Sequence, residues 1–273
     1  MSLIKFLLAP TKALNLHMVK KIIFYLKFLS QGTNKYNIHS PMVHDFIENI
    51  LDNSIKYYSF IGIEHVRSLL LKQNKAIKLK DLGAGSKSIK SSRSTINFLA
   101  KKVQSRPEKA QILFRMVSFF QKKNILEIGT SLGLTTAYLS KANKDGKVTT
   151  IEGDPNVFSL AQKNFKTLKL KNIELINQPF DQIIPQLLKN KFDLIFFDGN
   201  HSKEATLRYF YWLVEHANED SIFIFDDIYW SKEMKQAWEV ICTFDKVMLS
   251  LDIFSFGIVF FKKNREKEHI KLV

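Results

Sequence analysis

Two short stretches of the sequence have the residue types of a nucleoside-binding turn. "KDLGAGS" (80–86) and "ILEIGTSLG" (125–133) each place an acidic residue just before a glycine-bearing turn. A turn of this kind needs a strand before it, a helix after it, and an acidic residue at the end of the next strand to accept hydrogen bonds from ribose hydroxyls. A single cofactor requires only one such turn.

The second turn meets all three requirements. The apolar segment "NILEI" predicts the strand, "LTTAYLS" predicts the helix, and Glu152 ends the following strand "KVTTIE", 23 residues after Gly129. No apolar strand ending in an acid follows Gly83 at a comparable distance. We therefore predict that 80–86 joins a strand to a loop and holds no ligand.

The residues of the second turn favour an adenosine that carries an amino-acid tail. Gly129 and Gly133 have no Cβ, so the backbone can approach a ligand closely there. "GTSLG" is neither the G-x-G-x-x-G turn that binds a pyrophosphate nor a phosphate loop with its lysine. Glu127 is available to bind the ammonium group of the tail.

The elements that position this turn form an α/β domain. From Pro107 onward, helices alternate with apolar strands, which predicts a mostly parallel sheet covered on both faces. The last two strands, "KVMLSLDIF" and "FGIVFFKK", are too close in sequence for a crossover and must be antiparallel. We predict a domain over 107–273 and a basic extension of helices and loops over 1–106, which could cap the substrate. The Ser-, Lys- and Arg-rich segment 87–107 is predicted to be a loop over a site or a linker.

Positive charge is concentrated in the first part of the chain. The net charge is +15, and residues 1–110 hold 19 Lys and Arg against 6 Asp and Glu. This excess suits nucleic acid, anionic lipid or an acidic substrate, or else forms a solvated surface. Lysines interrupt the apolar residues of 1–30, so no membrane-spanning run is predicted. That segment is predicted to be an amphipathic helix, either on a membrane or partner or packed on the chain's own core.

The chain has one cysteine, Cys242, in the apolar stretch "EVICTFD". No internal disulfide can form, which fits a reducing compartment, and we predict a cytoplasmic location. The surrounding residues indicate that Cys242 is a core residue rather than a nucleophile.

Four motifs together resemble a known family. "LEIGTSLGLTTAYLS", "TIEGDP", "FDLIFFDGNH" and "SIFIFDDI" follow the order and spacing of class I S-adenosylmethionine-dependent methyltransferases. The E-I-G-T-x-x-G form is similar to the O-methyltransferase branch that includes catechol and caffeoyl-CoA enzymes. The resemblance covers about residues 105–262 and implies a doubly wound, mostly parallel seven-stranded sheet with an antiparallel last strand.

The resemblance also implies a set of cofactor-binding residues. The methionine end of S-adenosylmethionine would contact Glu127, Gly129, Thr130, Ser131 and Gly133. Glu152 would bind the ribose hydroxyls, with Gly153 beside it, and Asp198 would lie at the cofactor. The adenine would lie near Gln178, Pro179 and Phe180. Ser131 departs from the commoner G-x-G-x-G form.

Metal-dependent members of the branch imply the catalytic residues. Methyl transfer requires an aligned acceptor and removal of its proton. Asp198, Asp226 and Asp227 match the ligands of a divalent cation such as Mg²⁺, with Asp227 in place of the usual Asn, and His201 takes the position of the base. The alternatives are that Asp198 is a turn residue, that Asp227 caps the next turn, and that His201 is simply exposed to water.

The sequence is compatible with three functions. The first is methylation of a hydroxyl on a small molecule, with or without a metal, by an enzyme that the resemblance suggests could be a homodimer. The second is RNA methylation through the basic extension, although the sequence lacks both N-P-P-[YFW] and a Pro-Cys nucleophile. The third is a cofactor-binding protein without catalysis. In the first case Trp230, just after the last acidic strand end, could line the acceptor pocket.

Overall fold

A central eight-stranded sheet organises the part of the chain that the computed structural model describes, namely residues 16–52, 54–55, 57–79, 93–263 and 266–273. The strands in chain order are β1 (Ala76–Lys78), β2 (Arg93–Thr95), β3 (Asn124–Ile128), β4 (Lys147–Ile151), β5 (Ile173–Ile176), β6 (Leu194–Phe197), β7 (Ile222–Asp226), β8 (Leu249–Asp252), β9 (Phe256–Phe260) and β10 (Glu268–Lys271). β1 and β2 pair with each other, and the central sheet has the order β10-β8-β9-β7-β6-β3-β4-β5.

Helices cover this sheet and supply the residues between its strands. They are α1 (Leu16–Gln31), α2 (Pro41–Phe46), α3 (Ser59–Leu71), α4 (Ile96–Lys102), α5 (Pro107–Phe119), α6 (Leu134–Ala142), α7 (Pro155–Thr167), α8 (Phe180–Leu187), α9 (Lys203–Val214) and α10 (Lys232–Thr243). Several begin where the sequence provides a cap. The side chains of Asp154, Ser202 and Ser231 accept hydrogen bonds from the first-turn amides of α7, α9 and α10.

The predicted mostly parallel sheet with one reversed strand near its end is confirmed. β3 to β7 pair in parallel, whereas β9 runs antiparallel to both β7 and β8. The predicted number of seven strands was wrong, because β10 adds an eighth strand at the edge, parallel to β8. Its sequence, "EHIK", has little apolar character, so it gave no strand signal.

Alternating side chains of the central strands divide the core between the two faces of the sheet. Phe197 and Phe225 belong to a cluster on one face, whereas Phe196 and Ile224 belong to a cluster on the other. All residues of β6 and β7 are buried, as expected for strands covered on both sides.

Parts of the N-terminal region are more regular than predicted. Residues 93–102, expected to belong to a loop or linker, form β2 and α4. Leu99 of α4 joins Phe60, Phe114 and Tyr138 in a third buried cluster, which explains why this segment is ordered into a helix. The first glycine-bearing turn, 80–86, lies outside the described residues.

The helix α1 packs on the chain's own core. Phe28 is buried in the cluster that contains Phe197, while Ile23, Leu26 and Leu29 remain exposed on its other side. None of the helices in the described ranges has the length and apolarity needed to cross a membrane. Contact of this exposed face with a membrane surface stays a prediction.

Candidate active site

The turn after β3 has the backbone geometry of a tight strand-to-helix connection. Gly129, Ser131 and Gly133 have φ angles of 108°, 51° and 76°. A Cβ on Gly129 would lie 2.5 Å from the carbonyl oxygen of Asp198, and one on Gly133 would lie 2.4 Å from the Phe165 ring. Glycine is therefore required at 129 and 133 because φ is positive and because other parts of the protein pack closely there. The sequence predicted a different reason, namely the close approach of a ligand.

Glu127, on β3 just before the turn, is a fully buried acid with an unused oxygen. Its Oε2 accepts hydrogen bonds from the hydroxyls of Thr136 and Thr150, the latter at 2.6 Å. Its Oε1 is buried without a hydrogen-bond partner. Burial raises the pKa of Glu127 to about 7, even though the two threonines act in the opposite direction. An oriented, unsatisfied carboxylate oxygen fits a ligand ammonium group.

Glu152 lies at the end of β4, beside the same turn. Its two oxygens accept hydrogen bonds from the backbone amides of Ser131 and Asp154, each at 2.9 Å. Because a carboxylate offers about four lone-pair sites, both oxygens can still accept a hydroxyl. Burial raises the pKa of Glu152 to about 7, against the effect of these amides. Thr130, also in the turn, is buried and lies 2.6 Å from the Thr150 hydroxyl.

The residues predicted to lie near an adenine follow β5, next to Glu152. Asn177 donates a hydrogen bond of 2.7 Å to the Glu152 carbonyl oxygen, so the ends of β4 and β5 are held together. Gln178 and Pro179 are exposed, whereas the Phe180 ring packs against Gly199 after β6. Gly153 is buried behind Glu152.

Asp198 and His201 follow β6, on the other side of the turn. The Asp198 amide donates to the Ile128 carbonyl oxygen at 2.9 Å, which fixes this strand end against β3. His201 Nε2 lies 3.7 Å from Asp198 Oδ1, and its ring is 6.3 Å from that of Trp230. Burial and the neighbouring Asp226 raise the pKa of Asp198 well above its ordinary range.

Lys109 joins the acidic strand ends and was missed at the sequence level. From the first turn of α5, its Nζ contacts an oxygen of Asp226 and lies 3.3 Å from Asp227 Oδ1. Burial lowers the pKa of Lys109, but Asp226 and Asp227 outweigh that effect and hold it above its usual value. No motif marked this residue, because it lies 117 positions from Asp226 and meets it only through the packing of α5.

The acidic strand ends do not fit a divalent cation as arranged here. An ammonium already contacts Asp226 and Asp227, and Asp226 lies near enough to Asp198 to help raise its pKa. Mg²⁺ instead needs several free oxygen ligands at about 2.1 Å in octahedral geometry. Within the described ranges, no three His, Cys, Asp or Glu side chains are grouped so as to hold a metal ion.

The helix α1 contacts the residues that follow β7 in this site. The Nζ of Lys21 lies 6.0 Å from the centre of the Trp230 ring, and the Phe24 ring lies 5.8 Å from that of Tyr229. Burial raises the pKa of Asp227, but Lys109, Lys21 and His201 together outweigh it and hold the pKa below its usual value. Aromatic and basic groups from α1 therefore lie beside Trp230 and Tyr229, just after β7.

Comparison with known proteins points to the same part of the chain. Residues 126–228 match the family model described as a methyltransferase domain. The catechol O-methyltransferase of Niastella koreensis is 30% identical over 127 residues, which cover 45% of this chain and 57% of that protein. The catechol O-methyltransferase of Mycobacterium tuberculosis is 27% identical over 123 residues, covering 44% of this chain and 55% of the relative. The matched segment thus spans little more than half the length of either curated relative.

A solved structure extends the likeness of fold. The O-methyltransferase from Bacillus cereus in complex with SAH superposes with a TM-score of 0.54 at 18% identity, covering 81% of this chain and 97% of that one. The family match, the two relatives and this fold agree with the glycine-bearing turn and the acidic strand ends. Residues 126–228 are therefore similar to a methyltransferase domain and to catechol O-methyltransferases, and the described sheet has the fold of an O-methyltransferase of known structure.

Proposed function

We propose that the chain transfers a methyl group from S-adenosylmethionine to a hydroxyl of a small-molecule acceptor. The observation that carries the proposal is the pair of acids at one turn, the buried Glu127 and the half-buried Glu152. Glu127 keeps an unpartnered oxygen, and Glu152 is held at the end of the next strand by two amides. Both acids lie on the side of the sheet where parallel strands end, which is where α/β folds bind their ligands.

The neighbouring groups support transfer to a hydroxyl. When bound, S-adenosylmethionine supplies an electrophilic methyl group on a sulfonium with a neutral leaving group. Glu127 would bind its ammonium and Glu152 its ribose hydroxyls. The acceptor oxygen forms the new O–C bond as the S–C bond breaks and its electron pair stays on sulfur. His201 would take the hydroxyl proton and pass it to water, while Asp198, 3.7 Å away, would orient the imidazole.

The metal-assisted form of this reaction, with Mg²⁺ on Asp198, Asp226 and Asp227, is not included in the proposal. Two of these carboxylates already contact the Lys109 ammonium. We therefore derive no step through a metal ion.

A methyl-transfer assay tests the proposed function. The chain would be incubated with methyl-labelled S-adenosylmethionine and, in separate reactions, catechols, monohydroxy phenols and total RNA. We expect label in a hydroxyl acceptor and none in RNA. Label in RNA alone would favour the nucleic-acid alternative. Binding of S-adenosylhomocysteine without turnover of any acceptor would favour the third alternative, a cofactor-binding protein without catalysis.

The affinity for S-adenosylhomocysteine should rise with pH. Glu127 and Glu152 each have a pKa of about 7, so both are mostly neutral at pH 6 and ionised at pH 8. A ligand ammonium prefers the ionised form, so we expect about tenfold tighter binding at pH 8 than at pH 6. Isothermal titration calorimetry across this range measures the effect.

Glu127→Gln is the matched control for the pH dependence. The amide resembles the neutral acid at every pH, so this variant should bind more weakly than the wild type at pH 8. Its affinity should also change less with pH. A flat wild-type profile would contradict the roles given to these two acids.

A further inference from the structure

The Lys109 ammonium holds the position that a cation would take among the acidic strand ends. It contacts Asp226 and lies 3.3 Å from Asp227, and Asp198 is the third acid of the group. Both members of the closest pair are largely buried, since the Lys109 side chain is 19% exposed and that of Asp226 is 5% exposed. Breaking a buried ion pair of this kind is strongly unfavourable, so the ammonium is held in place.

Among the described residues, the hydrogen bonds of the Lys109 ammonium leave one of its N–H donors without an acceptor. On one side the ammonium lies 4.9 Å from the centre of the buried Phe256 ring, in cation–π geometry. An ammonium has three N–H donors, and Asp226 and Asp227 account for two of them. The remaining donor belongs to the same group of side chains as Asp198 and His201, whose charges act on Lys109 and on Asp227 respectively.

We propose that Lys109 replaces a divalent cation in this site. Its ammonium donates a hydrogen bond to the acceptor oxygen that loses its proton. A fixed positive charge stabilises the developing negative charge on that oxygen, which is the contribution a metal ion makes in metal-assisted transfer. The proposal rests on the proposed function, because it assigns a role in transfer to a hydroxyl.

A lysine and a metal ion select different acceptors. A divalent cation can bind two neighbouring oxygens at once, and so favours vicinal diols such as catechols. The single remaining donor of Lys109 binds one oxygen. The acceptors of this chain therefore include monohydroxy phenols, which need no second oxygen beside the reacting hydroxyl.

The test combines metal binding with activity. For the wild type, we expect no Mn²⁺ binding by electron paramagnetic resonance, methyl transfer that EDTA leaves unchanged, and kcat/KM for a monohydroxy phenol within about tenfold of that for a catechol. Lys109→Met should lower kcat about tenfold and leave the dissociation constant of S-adenosylhomocysteine unchanged, whereas Lys109→Arg should recover part of the loss.

Lys122→Met is the matched control, because Lys122 is also a buried lysine but donates to the Asp220 carbonyl oxygen, away from the site. It should keep the wild-type kcat. Mn²⁺ bound to the wild type, or activity lost with EDTA and restored by Mg²⁺, would overturn the proposal. A Lys109→Met variant as active as the wild type would also overturn it.

The two proposals fail in different ways. If no hydroxyl acceptor is methylated although S-adenosylhomocysteine binds, the proposed function fails and the catalytic role of Lys109 fails with it. If transfer occurs but depends on a metal ion, only the inference about Lys109 fails. Should Lys109→Met not fold, the EDTA and Mn²⁺ measurements on the wild type still decide.

Discussion

Replacing His201 with alanine should lower kcat at least about a hundredfold and leave the affinity for S-adenosylhomocysteine unchanged. His201 is the imidazole next to Asp198, with Nε2 3.7 Å from Asp198 Oδ1, and it holds the position of the proposed base. Its side chain is 29% exposed and follows Asn200 in a turn before α9, so its loss should not disturb the core. Single-turnover kinetics with saturating acceptor would measure the effect.

Thermal unfolding of His201→Ala distinguishes a base from a residue that only maintains the fold. A base can be removed with loss of kcat while the melting temperature stays close to that of the wild type. His216→Ala is the matched control, since His216 lies exposed just after the same helix. If His201→Ala kept most of the wild-type kcat, another group would have to take the proton.

The second large effect is expected at Glu152. Glu152→Ala should weaken binding of S-adenosylhomocysteine roughly 10- to 100-fold, because it removes a charge-assisted hydrogen-bond pair worth about 1.5–3 kcal/mol. The carboxylate is held by amides of Ser131 and Asp154, so it is already oriented before a ligand arrives. Calorimetry at pH 8, where the acid is ionised, gives the largest difference.

Glu174→Ala provides the comparison for Glu152. Glu174 is on the adjacent strand β5 but forms a surface ion pair of 2.9 Å with Lys147, and it should bind the ligand as the wild type does. Thermal unfolding of both variants separates lost binding from lost stability, since Glu152 also supports two backbone amides of the protein. Equal affinity of the wild type and Glu152→Ala would exclude the ribose role.

The sheet could be predicted because its strands are short apolar runs between clear helices. β6 and β7 are buried throughout, so every position reads as apolar up to the acid at the end. β10 could not be predicted in the same way, because it lies at the edge and pairs on only one side. The helix over 96–102 was also missed, since its stability comes from the cluster around Leu99 rather than from a strong local pattern.

The acids of the site could be predicted because strand ends are local features. Glu127, Glu152, Asp198 and Asp226 each occur at or next to the carboxyl end of an apolar strand, and the order β7-β6-β3-β4 brings those ends together. Which of them bind a ligand stays a prediction. Lys109 could not be found, because its contact with the acids depends on where α5 packs. For the same reason, the sequence predicts a metal site at Asp226 and its neighbours, whereas in the structure the Lys109 ammonium contacts Asp226.

The account depends on where the cofactor binds. A crystal structure of the chain with S-adenosylhomocysteine tests this most directly. We predict electron density over residues 129–133, with the ribose hydroxyls within hydrogen-bonding distance of Glu152 and the ammonium next to Glu127 Oε1. Density over residues 80–86 instead, or a nucleoside that touches neither acid, would contradict the proposed function.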